Sequence, residues 1–328
     1  MNKNGFLVIS LDFELIWGVF DVVSLQEKTV YFRNTLDVVP KILSLFDRND
    51  IHCTWATVGM LFNKHWEDWK GNVPPSVPSY KNSKLSAYDY ALSRDFILES
   101  EFFFAPNLIA KIRDCGGQEI GTHTYSHYYC LEDFQNEDQF EKDLDTAISL
   151  AKRSGVELKS LVFPRNQLKA SYLKICKAKG ILNVRSNPSD WYWADPTSES
   201  ILVKLARSGD AYLNFGKKSY PLEDLKTSEA LPIQQPASRF LRPVETKTFL
   251  RKAKIGRIKE EMTLAAKKDE VYHLWWHPHN FGSYPEQSLW DLQDIVGHYK
   301  RLRLEYGFQS RNMAGLGDLV INNDQSLL

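Results

Sequence analysis

Residues 6–14, Phe-Leu-Val-Ile-Ser-Leu-Asp-Phe-Glu, decide the fold that this sequence predicts. Phe6 to Leu11 is an apolar run rich in β-branched residues, which is typical of a strand buried on both faces. Asp12 and Glu14 follow, and the two-residue repeat of a strand puts both carboxylates on one face. This pair predicts a site for a cation or a shared proton, and a solvated strand end is the alternative interpretation.

Strand-like and helix-like stretches alternate outward from this first strand. Predicted strands cover residues 6–11, 51–58, 118–121, 158–163, 181–185 and 271–277, and predicted helices cover residues 36–46, 108–114, 140–152, 168–179, 245–268 and 286–306. The alternation predicts an α/β fold in which right-handed helical crossovers join parallel strands, a βα barrel or a variant of one. Residues 63–100 and 195–243 break the pattern and are predicted to be loop insertions in a single domain spanning residues 1–328.

The composition excludes several classes of protein. The 328 residues include 41 basic and 41 acidic side chains, and this zero net charge argues against nucleic acid as a partner. No run of about 18 apolar residues occurs, so no transmembrane helix is predicted. Because Asp12 and Glu14 interrupt the first apolar run, we interpret it as a strand rather than a signal peptide and expect a cytoplasmic protein. The four cysteines lack Cys-x-x-Cys spacing and are expected to be reduced thiols.

A pair of histidines follows the third predicted strand, in Gly121-Thr-His-Thr-Tyr-Ser-His127. If this segment turns helically, His123 and His127 lie on one face and can bind the same cation. A pair of surface or structural histidines is the alternative interpretation.

The last predicted strand ends in Tyr272-His-Leu-Trp-Trp-His-Pro-His279. His277 stands at its carboxyl end before a proline, a position that suits a general acid or base. His273 lies further back on the strand and is interpreted as a core residue. His279, beyond the proline, receives no role from the sequence.

Taken in order, these features resemble the polysaccharide deacetylase family, the NodB-like carbohydrate esterases. The shared pattern comprises Asp12-x-Glu14, Thr54-Trp-Ala-Thr-Val-Gly59, His123-Thr-x-x-His127, an Arg/Pro turn after the fourth predicted strand, Asp190-Trp191, and Leu274-x-x-His277. The resemblance covers about residues 6–279. It implies a distorted (β/α)7 barrel and a metal-dependent N-deacetylase.

The resemblance also implies a role for each matching residue. Asp12 would be the general base, oriented by Arg165, and His277 would be the general acid. The predicted ligands of a divalent metal, expected to be zinc with cobalt, nickel or iron as alternatives, are Glu14, His123 and His127. The predicted contacts to a carbohydrate substrate are Asp190, Trp191, Trp17 and Trp276. The oligomeric state is not predicted.

Two departures from the family pattern bear on these roles. The family has two consecutive aspartates where this chain has Asp12-x-Glu14, which leaves open which carboxylate binds the metal. The family's Arg-x-Pro turn is replaced here by Phe163-Pro164-Arg165.

The predicted function is removal of an N-acyl group, acetyl or formyl, from an amino sugar of a glycan or glycan precursor, as in surface polysaccharide biosynthesis. A catalytically silent glycan-binding protein is an alternative. The presence of both Asp12 and His277 argues against it, because a protein without activity would be expected to have lost one of them. A metal-independent cyclic amidohydrolase is another alternative, and the presence of both predicted ligand histidines argues against it. Several of the nine tryptophans lie near predicted site residues, which suggests a sugar-stacking surface.

Overall fold

The computed structural model describes residues 4–93, 97–198, 200–213 and 216–325. Its strands are β1 (Phe6–Phe13), β2 (Cys53–Thr57), β3 (Gln118–Thr122), β4 (Ser160–Val162), β5 (Asn183–Ser186), β6 (Tyr220–Pro221), β7 (Ile233–Pro236), β8 (Arg239–Phe240), β9 (Glu270–Trp276) and β10 (Gln309–Arg311). Its α-helices are α1 (Leu25–Arg48), α2 (Trp66–Gly71), α3 (Ala87–Leu92), α4 (Pro106–Arg113), α5 (Glu137–Arg153), α6 (Ala170–Ala178), α7 (Ile201–Gly209), α8 (Thr248–Lys267), α9 (Pro285–Tyr306) and α10 (Met313–Gln325).

Parallel strands form the wall of a curled sheet in the order β9, β1, β2, β3, β4, β5, β7. β7 pairs with β5, and β8, which begins after only Ala237 and Ser238, pairs with β9. One segment therefore bridges the two edges of the sheet, and the predicted distorted (β/α)7 barrel is confirmed. Short strands extend the wall, with β10 beside β1 and β6 antiparallel to β9.

The central position of β1 explains its composition. It pairs with β2 on one side and with β9 on the other, and all of its residues are buried. Helices cover the outside of the barrel, and α1 buries Val38, Val39, Ile42 and Phe46 at helical spacing against it. Because parallel strands share a direction, the carboxyl ends of β1, β3, β5 and β9 meet at one end of the barrel.

The two predicted insertions differ in structure. In residues 63–100, α2 and α3 bury Trp69 and Tyr88 in the core, while residues 94–96 lie outside the described part of the chain. Residues 195–243, of which 199 and 214–215 are likewise not described, contain α7 and strands β6 to β8. Part of this second segment is therefore barrel wall, which its short, proline-containing strands conceal in the sequence.

Two further expectations can be compared with the described residues. None of the helices there is long and apolar enough to cross a membrane. All four cysteines are free thiols.

Candidate active site

Asp12, buried near the carboxyl end of β1, forms a two-point ion pair with Arg185 on β5. The two guanidinium nitrogens of Arg185 donate to the two carboxylate oxygens at 2.6 and 2.7 Å. The guanidinium also lies 4.2 Å from the ring centre of Trp275, and it donates to the Ser10 hydroxyl at 3.0 Å. Burial alone would raise the pKa of Asp12, but the charge of Arg185 outweighs burial and holds that pKa below its usual value.

Arg165 makes a different ion pair. Its guanidinium donates to the Asp21 carboxylate at 2.5 Å and lies 4.3 Å from the ring centre of Tyr129. The prediction that Arg165 orients Asp12 is therefore wrong, because Arg185 makes that contact. In the turn after β4, where Arg165 and Asn166 both have left-handed backbone angles, the Asn166 side chain is the group that reaches Arg185, at 3.2 Å.

Glu14, His123 and His127 form a buried cluster able to bind a metal ion. Glu14 Oε2 lies 3.3 Å from His123 Nε2 and 3.2 Å from His127 Nε2, and it accepts no hydrogen bond. His123 directs Nε2 toward this point because its Nδ1–H donates to the Val162 carbonyl at 2.8 Å. A buried carboxylate oxygen without a hydrogen bond, between two imidazole nitrogens, fits a divalent cation such as zinc.

The neighbouring imidazoles affect the ionisation of the Glu14 carboxyl group. Burial alone would raise its pKa, but His277, His123 and His127 outweigh burial and hold that pKa well below its usual value. Burial lowers the pKa of His127, which favours the neutral imidazole that a metal ligand requires.

The loop that carries the two histidines is not helical. Thr124 and His127 have left-handed φ angles of 63° and 57°. The Asp143 carboxylate of α5 holds the loop by accepting the backbone N–H groups of Tyr125 and Ser126 at 2.6 and 3.0 Å and the Ser126 hydroxyl. The two imidazoles thus converge through a fixed loop rather than a helical turn. Burial raises the pKa of the Asp143 carboxyl group that holds this loop to about 6.

His277 and His279 approach the two carboxylates from the end of β9. His277 Nε2 lies 3.6 Å from Asp12 Oδ2 and 3.8 Å from Glu14 Oε1, and its side chain is 24% exposed. His279 is buried, and burial lowers its pKa to about 4. His273 hydrogen-bonds the Ser10 hydroxyl inside the barrel at 2.9 Å, as expected of a core residue.

The four predicted sugar contacts lie in different environments. Trp17 and Trp276 are both 0% exposed, so the prediction that they contact a sugar is wrong. Trp17 donates its indole N–H to the Phe103 carbonyl, and Trp276 packs between Phe46 and Phe281 on the helix side of β9.

Asp190 and Trp191 lie on the loop that follows β5. The Asp190 carboxylate accepts from Lys218 at 2.6 Å, so its charge is already paired. Trp191 is 66% exposed, which leaves its indole accessible to a ligand.

Sequence reasoning missed Arg185 and Asp143. Arg185 had a usable signal, because a charged residue at the carboxyl end of a predicted barrel strand points to the site. Asp143 had none, since an aspartate within an amphipathic helix is usually on its solvated face.

Comparison with protein families identifies a match over half of the chain. Residues 20–184 match the family described as polysaccharide deacetylase. The matched segment includes His123 and His127, whereas Asp12, Glu14 and His277 lie outside it. No curated protein matches the sequence.

The solved structures that are similar to this chain include the following three. A candidate polysaccharide deacetylase from Mycobacterium smegmatis is 14% identical with a TM-score of 0.64, and the alignment covers 99% of this chain and 92% of that one. A protein from Pseudomonas aeruginosa PAO1 with the same description is 11% identical with a TM-score of 0.56, covering 95% and 89%. The Puue allantoinase is 12% identical with a TM-score of 0.57, covering 95% and 89%. At these identities the likeness establishes the fold alone.

Proposed function

Because the chain belongs to the polysaccharide deacetylase family, we propose that it is a metal-dependent hydrolase that removes an acetyl or formyl group from an amino sugar. Family membership supports a hydrolase of the deacetylase type. The observation that carries the finer proposal is one buried arrangement. A cluster of Glu14, His123 and His127 lies beside Asp12 and His277, all at the carboxyl end of the barrel strands.

The metal ligands in this proposal are Glu14, His123 and His127. The contacts support Glu14 rather than Asp12 as the carboxylate ligand, because both Asp12 oxygens are taken by Arg185. Two imidazoles and a carboxylate suit zinc, with cobalt, nickel or iron as alternatives. A cation held there would supply a Lewis acid that makes water more acidic and polarises the amide carbonyl.

Asp12 is the proposed general base. It would take a proton from the attacking water, and Arg185 holds its carboxylate in one orientation by two hydrogen bonds. Its lowered pKa keeps the carboxylate ionised at neutral pH, ready to accept that proton.

His277 is the proposed general acid. It would donate a proton to the departing amine, so that the C–N bond breaks and a neutral amine leaves. Its ring is fixed by edge contacts with Trp275 and Phe240 at 5.7 and 5.6 Å between ring centres. Its partial exposure gives the amine access to Nε2.

The substrate in this proposal is an amino sugar of a glycan or glycan precursor, in surface polysaccharide biosynthesis. The exposed indole of Trp191 follows β5 at the same end of the barrel and offers a flat apolar face to a sugar ring. Zero net charge is compatible with a substrate that is not a dense polyanion.

Release of acetate and formate from N-acetyl and N-formyl amino sugars tests the proposal, with free, nucleotide-linked and oligomeric sugars as substrates. The zinc-loaded protein should hydrolyse at least one, chelation should abolish turnover, and zinc or cobalt should restore it. Asp12→Asn should lower kcat by about 10²- to 10⁴-fold, the usual contribution of a general base.

The matched control is Asp318→Asn, which makes the same substitution on α10 and should retain wild-type turnover. Equal rates for Asp12→Asn and wild type would contradict the assigned base. Full activity after exhaustive chelation would instead favour a metal-independent amidohydrolase. No release from any sugar, in a protein that binds zinc, would favour a silent glycan-binding protein.

A further inference from the structure

The Glu14 carboxylate lies between two pairs of imidazoles. Its Oε2 faces the proposed metal ligands His123 and His127, and its Oε1 faces His277 Nε2 at 3.8 Å and His279 Nδ1 at 3.6 Å. The first three histidines have roles in the proposed reaction. His279 has none, although its ring nitrogen is nearer to Glu14 than that of His277.

His279 is held by its surroundings in one orientation. It lies on the short 3-10 turn Pro278–Phe281 that follows β9, and it is buried. Its ring stacks on the His277 ring with centres 5.0 Å apart and planes 17° apart, and the Tyr31 ring lies 6.0 Å away. The imidazole therefore has little freedom to rotate away from Glu14.

The Nδ1 atom of His279 is buried and has no hydrogen-bond partner. Leaving a buried polar atom unpaired is energetically costly, and most buried polar atoms in native proteins have a hydrogen-bond partner. Here the Glu14 carboxylate lies within ion-pair distance of Nδ1, with Oε1 3.6 Å away. A ring N–H directed at a carboxylate oxygen is the natural pairing of these two groups.

Glu14 is confined from another direction as well. A Cβ on Gly18 would lie 1.9 Å from Glu14 Cδ, so the backbone of the loop after β1 packs directly against the carboxyl group. A carboxylate enclosed in this way turns only slightly. A donor on Oε1 would therefore fix the direction in which Oε2 faces His123 and His127.

We propose that His279 is a positioning residue for the metal site, which directs its Nδ1–H at Glu14 Oε1 and so holds Glu14 Oε2 toward the cation. The inference rests on the proposed metal dependence. It concerns metal affinity rather than the chemical step, because the predicted contact is to a ligand and not to the substrate. Partners that orient metal ligands typically contribute 10- to 100-fold to affinity.

The test measures zinc dissociation constants by competition with a chromophoric chelator, in the full chain. His279→Ala should weaken zinc binding by about 10- to 100-fold. His279→Asn should bind zinc within about threefold of wild type, because its side-chain amide occupies the place of Nδ1. His279→Gln should resemble alanine, since its amide reaches the place of Nε2 instead. The control is His298→Ala. His298 lies on α9 and contacts Thr263, so its loss should leave zinc affinity unchanged.

The contrast between asparagine and glutamine keeps the proposal testable if the alanine variant does not fold. Equal zinc affinity in wild type, His279→Ala and His279→Gln would overturn it, and so would a wild-type protein that binds no divalent metal. If His279 were itself a ligand, His279→Asn would bind weakly and would change the visible absorption of the cobalt-loaded protein, which also overturns it. A protein that shows the expected affinities and hydrolyses no sugar would contradict the proposed reaction while leaving the positioning role intact.

Discussion

Two buried clusters of charged residues on the same barrel differ in how their carboxylates are partnered. In the first, which we call the ion cluster, Arg239 donates to Glu261 at 2.6 and 2.7 Å, and Lys218 contacts Asp190 and Asp210 at 2.6 and 3.1 Å. In the second, the donor cluster of Glu14, His123 and His127, the carboxylate faces only imidazoles. Each carboxylate of the ion cluster therefore has a permanently charged partner, and Glu14 does not.

The difference distinguishes a structural group from a cluster that is able to bind a metal ion. Buried charges need partners, and removing one member of a buried pair leaves the other uncompensated. The ion cluster satisfies this requirement within the protein and ties β8 to α8 and to the end of α7. The donor cluster leaves Glu14 Oε2 without a hydrogen bond, which is what a site for a divalent cation requires.

The largest expected effect lies in the ion cluster. Arg239→Ala removes a charged partner from each of two buried carboxylates and should lower the free energy of unfolding by about 3–5 kcal/mol. Urea unfolding at constant pH measures the change. Arg33→Ala is the control, because Arg33 is 62% exposed and pairs loosely with Glu101 at 3.7 Å, and it should change stability by less than about 0.5 kcal/mol. Similar losses for the two variants would remove the distinction between the clusters.

The next effect lies in the donor cluster and depends on metal. Zinc at about 100 times its dissociation constant should stabilise the wild-type protein by about 2.7 kcal/mol, because the folded state alone offers the preformed site. Glu14→Gln should lose this gain, since it removes the ligand charge. Without metal it should be less stable than wild type at neutral pH, because the lowered pKa of Glu14 means that the surrounding imidazoles stabilise the folded protein with this carboxylate ionised. Unfolding with zinc and with chelator measures both. Equal zinc stabilisation of the variant would contradict the assigned ligand.

A smaller effect is expected at Asp12, whose carboxylate pairs with Arg185 and also lies beside the imidazole of His277. Arg185→Lys keeps the positive charge but loses the two-point geometry, so kcat should fall by about 10- to 100-fold while zinc affinity is retained. Arg165→Lys is the matched variant, and it should change kcat by less than about threefold because Arg165 pairs with Asp21. Steady-state kinetics on the best substrate compares them. A larger loss from Arg165→Lys would restore the original assignment from sequence.

The fold and the donor cluster were predictable because the strand pattern is local. The run at residues 6–14 identifies β1 and places Asp12 and Glu14 at its end, and parallel strands bring the carboxyl ends together whatever the details of the helices. Arg185 carried a signal of the same kind, as a charged residue at the carboxyl end of a predicted strand. The exclusion of Arg165 was not predictable in this way. It depends on the left-handed backbone angles of Arg165 and Asn166, and the sequence gives no strong local signal for that conformation in residues other than glycine.

The aromatic residues show where composition misleads. Trp17 and Trp276 lie next to site residues in the sequence, yet they are fully buried. On β9, neighbouring side chains alternate, so Trp275 contacts Arg185 inside the barrel while Trp276 faces the helices. Closeness in sequence to a proposed catalytic residue therefore does not predict contact with a sugar.

The smallest expected effect separates Trp191 from the buried tryptophans. A 66% exposed indole contributes little to folding, so Trp191→Ala should leave the free energy of unfolding within about 0.5 kcal/mol of wild type. If the indole stacks on the sugar, KM should rise by about 2- to 10-fold, equivalent to about 0.5–1.5 kcal/mol, with kcat little changed. Trp290→Ala is the matched control, because Trp290 is 55% exposed on α9, a helix outside the barrel, and its KM should stay at the wild-type value. An unchanged KM in Trp191→Ala would exclude this residue from the sugar site, and the substrate surface would then have to be sought in other loops at the carboxyl end of the barrel.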